Sequence, residues 1–108
     1  MSEVVGVVHA RAARGRGPEV LTALETCAVS THREEGCIRY AVHRDNADPD
    51  HLVLLERWRS QADLDAHLAT PHVAALLDAV SAPGLLVSPP ELVFTTALVL
   101  GDPVKGGL

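Results

Sequence analysis

Apolar positions recur along this chain with two periods. From Val4 to Ala10 they run almost unbroken and are mostly β-branched, which predicts a strand. Arg14-Gly15-Arg16-Gly17 breaks that run, and Pro18 suits the first turn of a helix, where its missing N–H costs nothing. Val20, Leu24, Cys27, Ala28 and Thr31 then recur at spacings of three and four, one helical face, with Thr22, Glu25, Thr26, Arg33 and Glu34 mostly off it. Gly36 is placed to end the helix as a left-handed cap.

The period then changes to two. In the segment Cys37 to Asp45, Ile38, Tyr40 and Val42 alternate with Cys37, Arg39, Ala41 and His43; in His51 to Trp58, Leu52, Leu54, Glu56 and Trp58 alternate with Val53, Leu55 and Arg57. The turn-rich Asn46 to Asp50 joins them, so these two strands form a hairpin. Ser60-Gln-Ala-Asp63 has the form of a capping box for a short helix carrying Leu64, His67 and Leu68. Thr70-Pro71 starts a second helix with the stripe Val73, Leu76, Leu77 and Val80, ended by Ala82-Pro83-Gly84. A last strand is expected over Glu91 to Leu100.

The order strand, helix, strand, strand, helix pair, strand is the split βαβ pattern of an α+β, ferredoxin-like fold. One domain is expected over residues 3–100, with 101–108 a flexible tail. Both faces of the strands are apolar, yet the helices cover only one. The bare face predicts a second copy, a homodimer with two sheets face to face forming a dimeric α+β barrel; the alternative is a monomer whose C-terminal tail covers that face.

Composition narrows the class. Hydrophobic residues at 47% and charged residues at 21% exclude disorder, and 108 residues suit a single core. A net charge of −5 with one Trp, one Tyr and one Phe lacks both the basic footprint and the stacking platform of a nucleic-acid binder. No apolar run reaches the roughly 18 residues of a membrane span, and the N-terminus has no basic region of signal-peptide type, so a cytoplasmic protein is expected. Cys27 and Cys37 form no CxxC pair and are expected as small, buried, reduced side chains.

Six histidines are the main chemical resource. His67 and His72 lie on either side of the Thr70-Pro71 break, where a helix restart lets them converge. A metal there would need a third ligand; Glu56 is conceivable but no spacing demands it, and no metal is expected. His72 sits at the second position of a helix, whose positive end disfavours imidazolium, so it suits a general base. His67, beside Leu64 and Leu68, is either a core histidine or a pocket donor in the cleft between helix and sheet. Tyr40 and Trp58 are either core side chains or pocket groups, and Leu64, Leu68 and Leu76 would complete an apolar lining. His32 and His51 read as solvated, His9 and His43 as strand histidines at a rim. There is no GxSxG nucleophile motif, and Gly15-Arg16-Gly17 is too short for a phosphate loop.

The segment Glu56 to His72, ERWRSQADLDAHLATPH, resembles the antibiotic biosynthesis monooxygenase family, in its E-x-W strand end, its A-H-L helix and its T-P-H restart. Arg33 to Val42, REEGCIRYAV, resembles that family's E-x-G-C-x-x-Y element, and the likeness spans about residues 3 to 98, nearest to the bacterial quinol monooxygenase branch. The haem-degrading branch is less similar: it has a Trp where this chain has His67, and a haem-ligating His where this chain runs Val73 to Leu77. The resemblance implies a dimeric α+β barrel that oxidises a quinol or polycyclic phenol with O2 and no cofactor. His67 or His72 would be the catalytic base, and Tyr40 and Trp58 would line or support the substrate pocket. Two other readings stay open, a non-catalytic small-ligand module and an isomerase or cyclase of aromatic polyketides, because fold alone does not decide function.

Overall fold

A computed structural model describes residues 2–108. The elements are β1 (Val4–Arg11), α1 (Gly17–Thr31), β2 (Cys37–Arg44), β3 (His51–Trp58), α2 (Gln61–Leu68), α3 (Pro71–Val80) and β4 (Glu91–Thr95). The strands form one antiparallel sheet in the order β2-β3-β1-β4, the ferredoxin-like arrangement the element order implies. Among the described residues no helix is long and apolar enough to cross a membrane.

Alternation along β3 decides what the sheet presents to each side. Leu52, Leu54, Glu56 and Trp58 are buried, while Val53, Leu55 and Arg57 are partly exposed. The buried set faces the helices and meets Val20, Leu24 and Cys27 of α1, Leu64 of α2 and Val73 of α3. Trp58, Leu52, Leu64 and Val20 are the largest fully buried side chains, so the apolar area that drives folding is concentrated between β3 and the helices. Asp50, in the β2–β3 turn, accepts hydrogen bonds from the backbone N–H groups of Gly15 and Gly17 at 2.9 Å each. A carboxylate thereby meets the positive end of α1, which has no side-chain cap of its own.

Three expectations need correction. Gly36 is not a left-handed cap: α1 ends at Thr31, and positive φ occurs at Gly15, Gly84 and Gly101. Gly36 is glycine for want of space, because a Cβ there would overlap the Asp63 side chain. The alternation of β2 slips once, at a bulge between Cys37 and Arg39. Cys37 pairs with Trp58 and Arg39 with Arg57, so Cys37 turns inward beside Trp58 while Arg39 stays outward. The last strand is half the expected length, ending at Thr95. There Val5 pairs with Thr95, and beyond it β1 has only Val4 to offer.

Residues 101–108 close in turns, with Gly106 N–H donating to the Asp102 carbonyl at 2.8 Å, and Arg57 donates to the Leu108 carbonyl on the outer sheet face.

Asp63 also accepts from Ser60 Oγ, the cap of α2, at 2.8 Å and from Arg59 Nε at 2.8 Å. Gly36→Ala should therefore destabilise by about 1–3 kcal/mol through overpacking, read as a lower urea midpoint at unchanged m-value.

Candidate active site

The site begins where α1 has ended. Glu34, in the turn before β2, reaches across to two histidines carried by different helices. Its Oε2 accepts from His67 Nδ1 at 2.7 Å and from His72 Nε2 at 2.9 Å. The helix break brings the two rings together. Thr70 Oγ1 accepts from Val73 N–H, capping α3, and also donates to the His67 carbonyl at 2.7 Å, tying the new helix to the end of α2. The rings then lie with centroids 5.9 Å apart. A carboxylate only accepts, so both facing nitrogens carry protons when the imidazoles are neutral, leaving His67 Nε2 and His72 Nδ1 with lone pairs.

His67 is held on every side. Its side chain is 3% exposed. Its ring lies 4.4 Å from the Trp58 ring and 5.4 Å, edge-on, from the Tyr40 ring. Its Nε2 points to the Glu56 side, with Oε1 3.9 Å away. Glu56 Oε1 in turn accepts from Trp58 Nε1 at 2.9 Å. Burial is the main influence on this carboxyl and pushes its pKa up, against the opposing effects of the Trp58 N–H and His67.

A cavity of about 120 Å³ opens beside these groups, between the helices and the inner sheet face. Leu54, Leu76, Leu86 and Leu92 are typical of its walls, and Tyr40, Glu56 and His67 are the polar-bearing side chains on it. Of the residues expected to form a site, His67, Tyr40, Leu68 and Leu76 therefore line this cavity. Leu68 does so from the rim, at 46% exposure, rather than from a buried stripe. Trp58 and Leu64 are buried behind it, Trp58 supporting His67 and Glu56. His72 lines a different depression, between α1 and α3, and meets the cavity group only through Glu34. The Tyr40 hydroxyl lies 3.6 Å from Cys27 Sγ, and burial together with that contact pushes the phenol up, so it stays protonated.

Spacing alone does not point to Glu34: on the helical wheel it falls among the solvated residues, and its partners lie 33 and 38 positions away. The signal the sequence offers is the place of Glu34 as the Glu of the E-x-G-C-x-x-Y element, Glu34-Glu35-Gly36-Cys37. Glu34, His67 and His72 also offer three donor atoms within 4.8 Å of one another. His51 is a further correction. It is not solvated: its Nε2 shares a hydrogen bond with His9 Nδ1 at 2.8 Å, and its Nδ1 bonds Asp45, also at 2.8 Å. His32 is exposed, as expected, with its Nε2 on the Tyr40 carbonyl. Both cysteines are free, and burial, helped by Glu34 and Glu56, pushes the Cys37 thiol up to about 11, so it is not a thiolate nucleophile.

Comparison with known proteins bears on the family and the fold. The sequence profile described as "Antibiotic biosynthesis monooxygenase" matches residues 4–79. The chain is 34% identical over 88 residues to the "Probable quinol monooxygenase YgiN" of Escherichia coli, covering 74% of this chain and 85% of that protein. The structure of Rv0793 from Mycobacterium tuberculosis superposes with a TM-score of 0.81 at 25% identity, over 90% of this chain and 96% of that one. PA3566 from Pseudomonas aeruginosa shares the fold with a TM-score of 0.79 at 23% identity, over 91% and 96% of the two chains.

The raised Glu56 carboxyl gives a stability prediction. A folded pKa above the unfolded value of about 4.3 means the neutral form is favoured by folding. That contribution is complete below the unfolded value and is lost as pH rises through the folded one. Glu56→Gln keeps an acceptor for Trp58 and cannot ionise, so its stability relative to the parent should increase from pH 4 to pH 7. Urea unfolding at both pH values measures this; a constant difference would contradict it.

Proposed function

Because the chain belongs to the antibiotic biosynthesis monooxygenase family, whose members are enzymes of monooxygenase type, we propose that it oxidises a quinol or polycyclic phenol with O2, using His67 as the base. The observation that carries this reading is the Glu34–His67 hydrogen bond at 2.7 Å. It commits the proton to Nδ1 and leaves Nε2 as an acceptor beside the cavity. Glu34 and, through it, His72 are positioning residues; they orient the imidazole and stabilise the imidazolium that forms when Nε2 takes a substrate proton.

The chemistry needs little else. A hydroquinone is a poor reductant until it loses a proton, and its anion can pass one electron to O2. Recombination of the two radicals forms the C–O bond, and loss of water leaves a hydroxyquinone: one quinol and one O2 become one hydroxyquinone and one water. The apolar walls exclude bulk water and hold the ring in place. No cofactor enters this sequence of steps.

The same reading includes a homodimer. Every residue of β4 is exposed, although it carries Leu92, Val93 and Phe94. Leu98 and Leu100 beyond it are each 75% exposed. A second copy packed on the open outer face would bury Val93, which pairs with Val7 on that face, while Leu92 and Phe94 pair with Val8 and Gly6 on the inner face, where Leu92 is a cavity wall.

Oxygen uptake with a panel of small hydroquinones and anthrone-like phenols tests the activity. His67→Ala should slow it by about 10²–10⁴-fold, toward the rate without protein, while unchanged uptake would remove His67 from the mechanism. Turnover that continues without oxygen would favour the isomerase or cyclase reading instead. Sedimentation should give twice the chain mass, and Val93→Asp should shift it to the monomer.

A further inference from the structure

We propose that Glu34, His67 and His72 form a binding site for a borderline divalent cation such as Zn(II), and that the cation inhibits the enzyme by reversing the tautomer of His67. The second half rests on the reading of His67 as base; the first does not.

The donor set is the starting point. Two imidazole nitrogens and one carboxylate oxygen converge, with Oε2 at 2.7 and 2.9 Å from the two nitrogens. Such a set of two histidines and one carboxylate, with open positions, suits Zn(II) and related first-row ions. An ion bound at about 2.0–2.2 Å needs its donors about 3.0–3.4 Å apart. The two Oε2–nitrogen distances therefore have to open by only a few tenths of an ångström, and all three donor atoms lie within 4.8 Å of one another. They come from three separate packed segments: the turn after α1, helix α2 and the first turn of α3. Their convergence is thus built into the fold and not assembled by flexible side chains. His67 is 3% exposed but Glu34 and His72 are 18% and 20% exposed, which leaves a way in from solvent. The net charge of −5 favours the approach of a cation.

The surroundings complete the site. Metal on Nδ1 requires the His67 proton to sit on Nε2, and Glu56 Oε1 lies 3.9 Å from that atom, held by the Trp58 N–H. A carboxylate behind the ligating imidazole is the usual partner for that N–H. Each imidazole keeps one proton, moved to its other nitrogen: His67 from Nδ1 to Nε2, His72 from Nε2 to Nδ1. The cation thereby replaces the two protons that Glu34 now accepts. With Nε2 protonated, His67 has no lone pair left for substrate.

The experiment is a titration of the chelator-treated full chain with Co(II), followed by its visible d–d absorption, with Zn(II) as competitor. One ion per chain should bind, Zn(II) should displace Co(II), and Glu34→Gln and His72→Gln should each weaken binding at least tenfold while His9→Gln does not. Far-UV circular dichroism of each variant checks folding. Absence of saturable Co(II) binding, or affinity unchanged in both folded variants, would overturn the site. Zn(II) should also suppress oxygen uptake in step with its binding, and a chelator should restore it. Binding with full oxygen uptake would overturn the tautomer mechanism. Loss of all turnover on every substrate, with Co(II) binding intact, would instead count against the proposed reaction and leave the cation site standing.

Discussion

One carboxylate oxygen, Glu34 Oε2, is shared by imidazoles on two helices, and the orientation of both rings depends on that sharing. Without Glu34 the His67 ring would still be wedged between Trp58 and Tyr40, but no hydrogen bond would hold its proton on Nδ1. With it, one nitrogen is a committed donor and the other a free acceptor on the cavity side. The constraint reaches outward from there. His67 and His72 can meet one oxygen only because α2 stops at Leu68 and α3 restarts at Pro71. A continuous helix would place positions five apart on different faces. The Thr70 hydroxyl, which caps the second helix and bonds the end of the first, keeps that break in register.

Beneath this pair lies a second polar contact that burial makes costly. Glu56 stands on the inner face of β3 among apolar side chains, with the Trp58 indole N–H as its close donor. A buried carboxyl in that position disfavours its own charge, which is why its pKa moves up. The fold therefore carries a titratable group in its core, where a leucine would pack at lower cost. It lies on the cavity wall, with Oε1 3.9 Å from His67 Nε2.

The uneven covering of the sheet is the other organising feature. The helices bury the inner face of β3, whereas every residue of β4 is exposed. Phe94 lies so close over Gly6 that a Cβ there would come within 2.9 Å of its ring, yet Phe94 stays 38% exposed. The turn of residues 101–108 reaches the outer face at Arg57 and leaves the apolar strip of β4 open. The cavity walls include residues of this uncovered strand, so the shape available to a substrate is tied to whatever packs there.

Much of the fold was legible from spacing alone. The bounds of β3, the hairpin, the Ser60 cap and the Thr70-Pro71 restart follow from period, turn residues and capping chemistry, because each is decided within a few residues of itself. The family, too, could be seen in short motifs around Glu56 to His72 and Arg33 to Val42. What sequence could not supply were contacts between distant segments. The inward turn of Cys37 depends on a bulge against β3, the need for glycine at position 36 depends on Asp63, and the length of β4 depends on where β1 ends. Above all, sequence put His67 and His72 near one another but not Glu34 between them, and could not tell which histidine faces the cavity. Local periodicity determines secondary structure through backbone geometry and side-chain burial, whereas the carboxylate shared across 33 and 38 residues exists only once the helices have packed on the sheet.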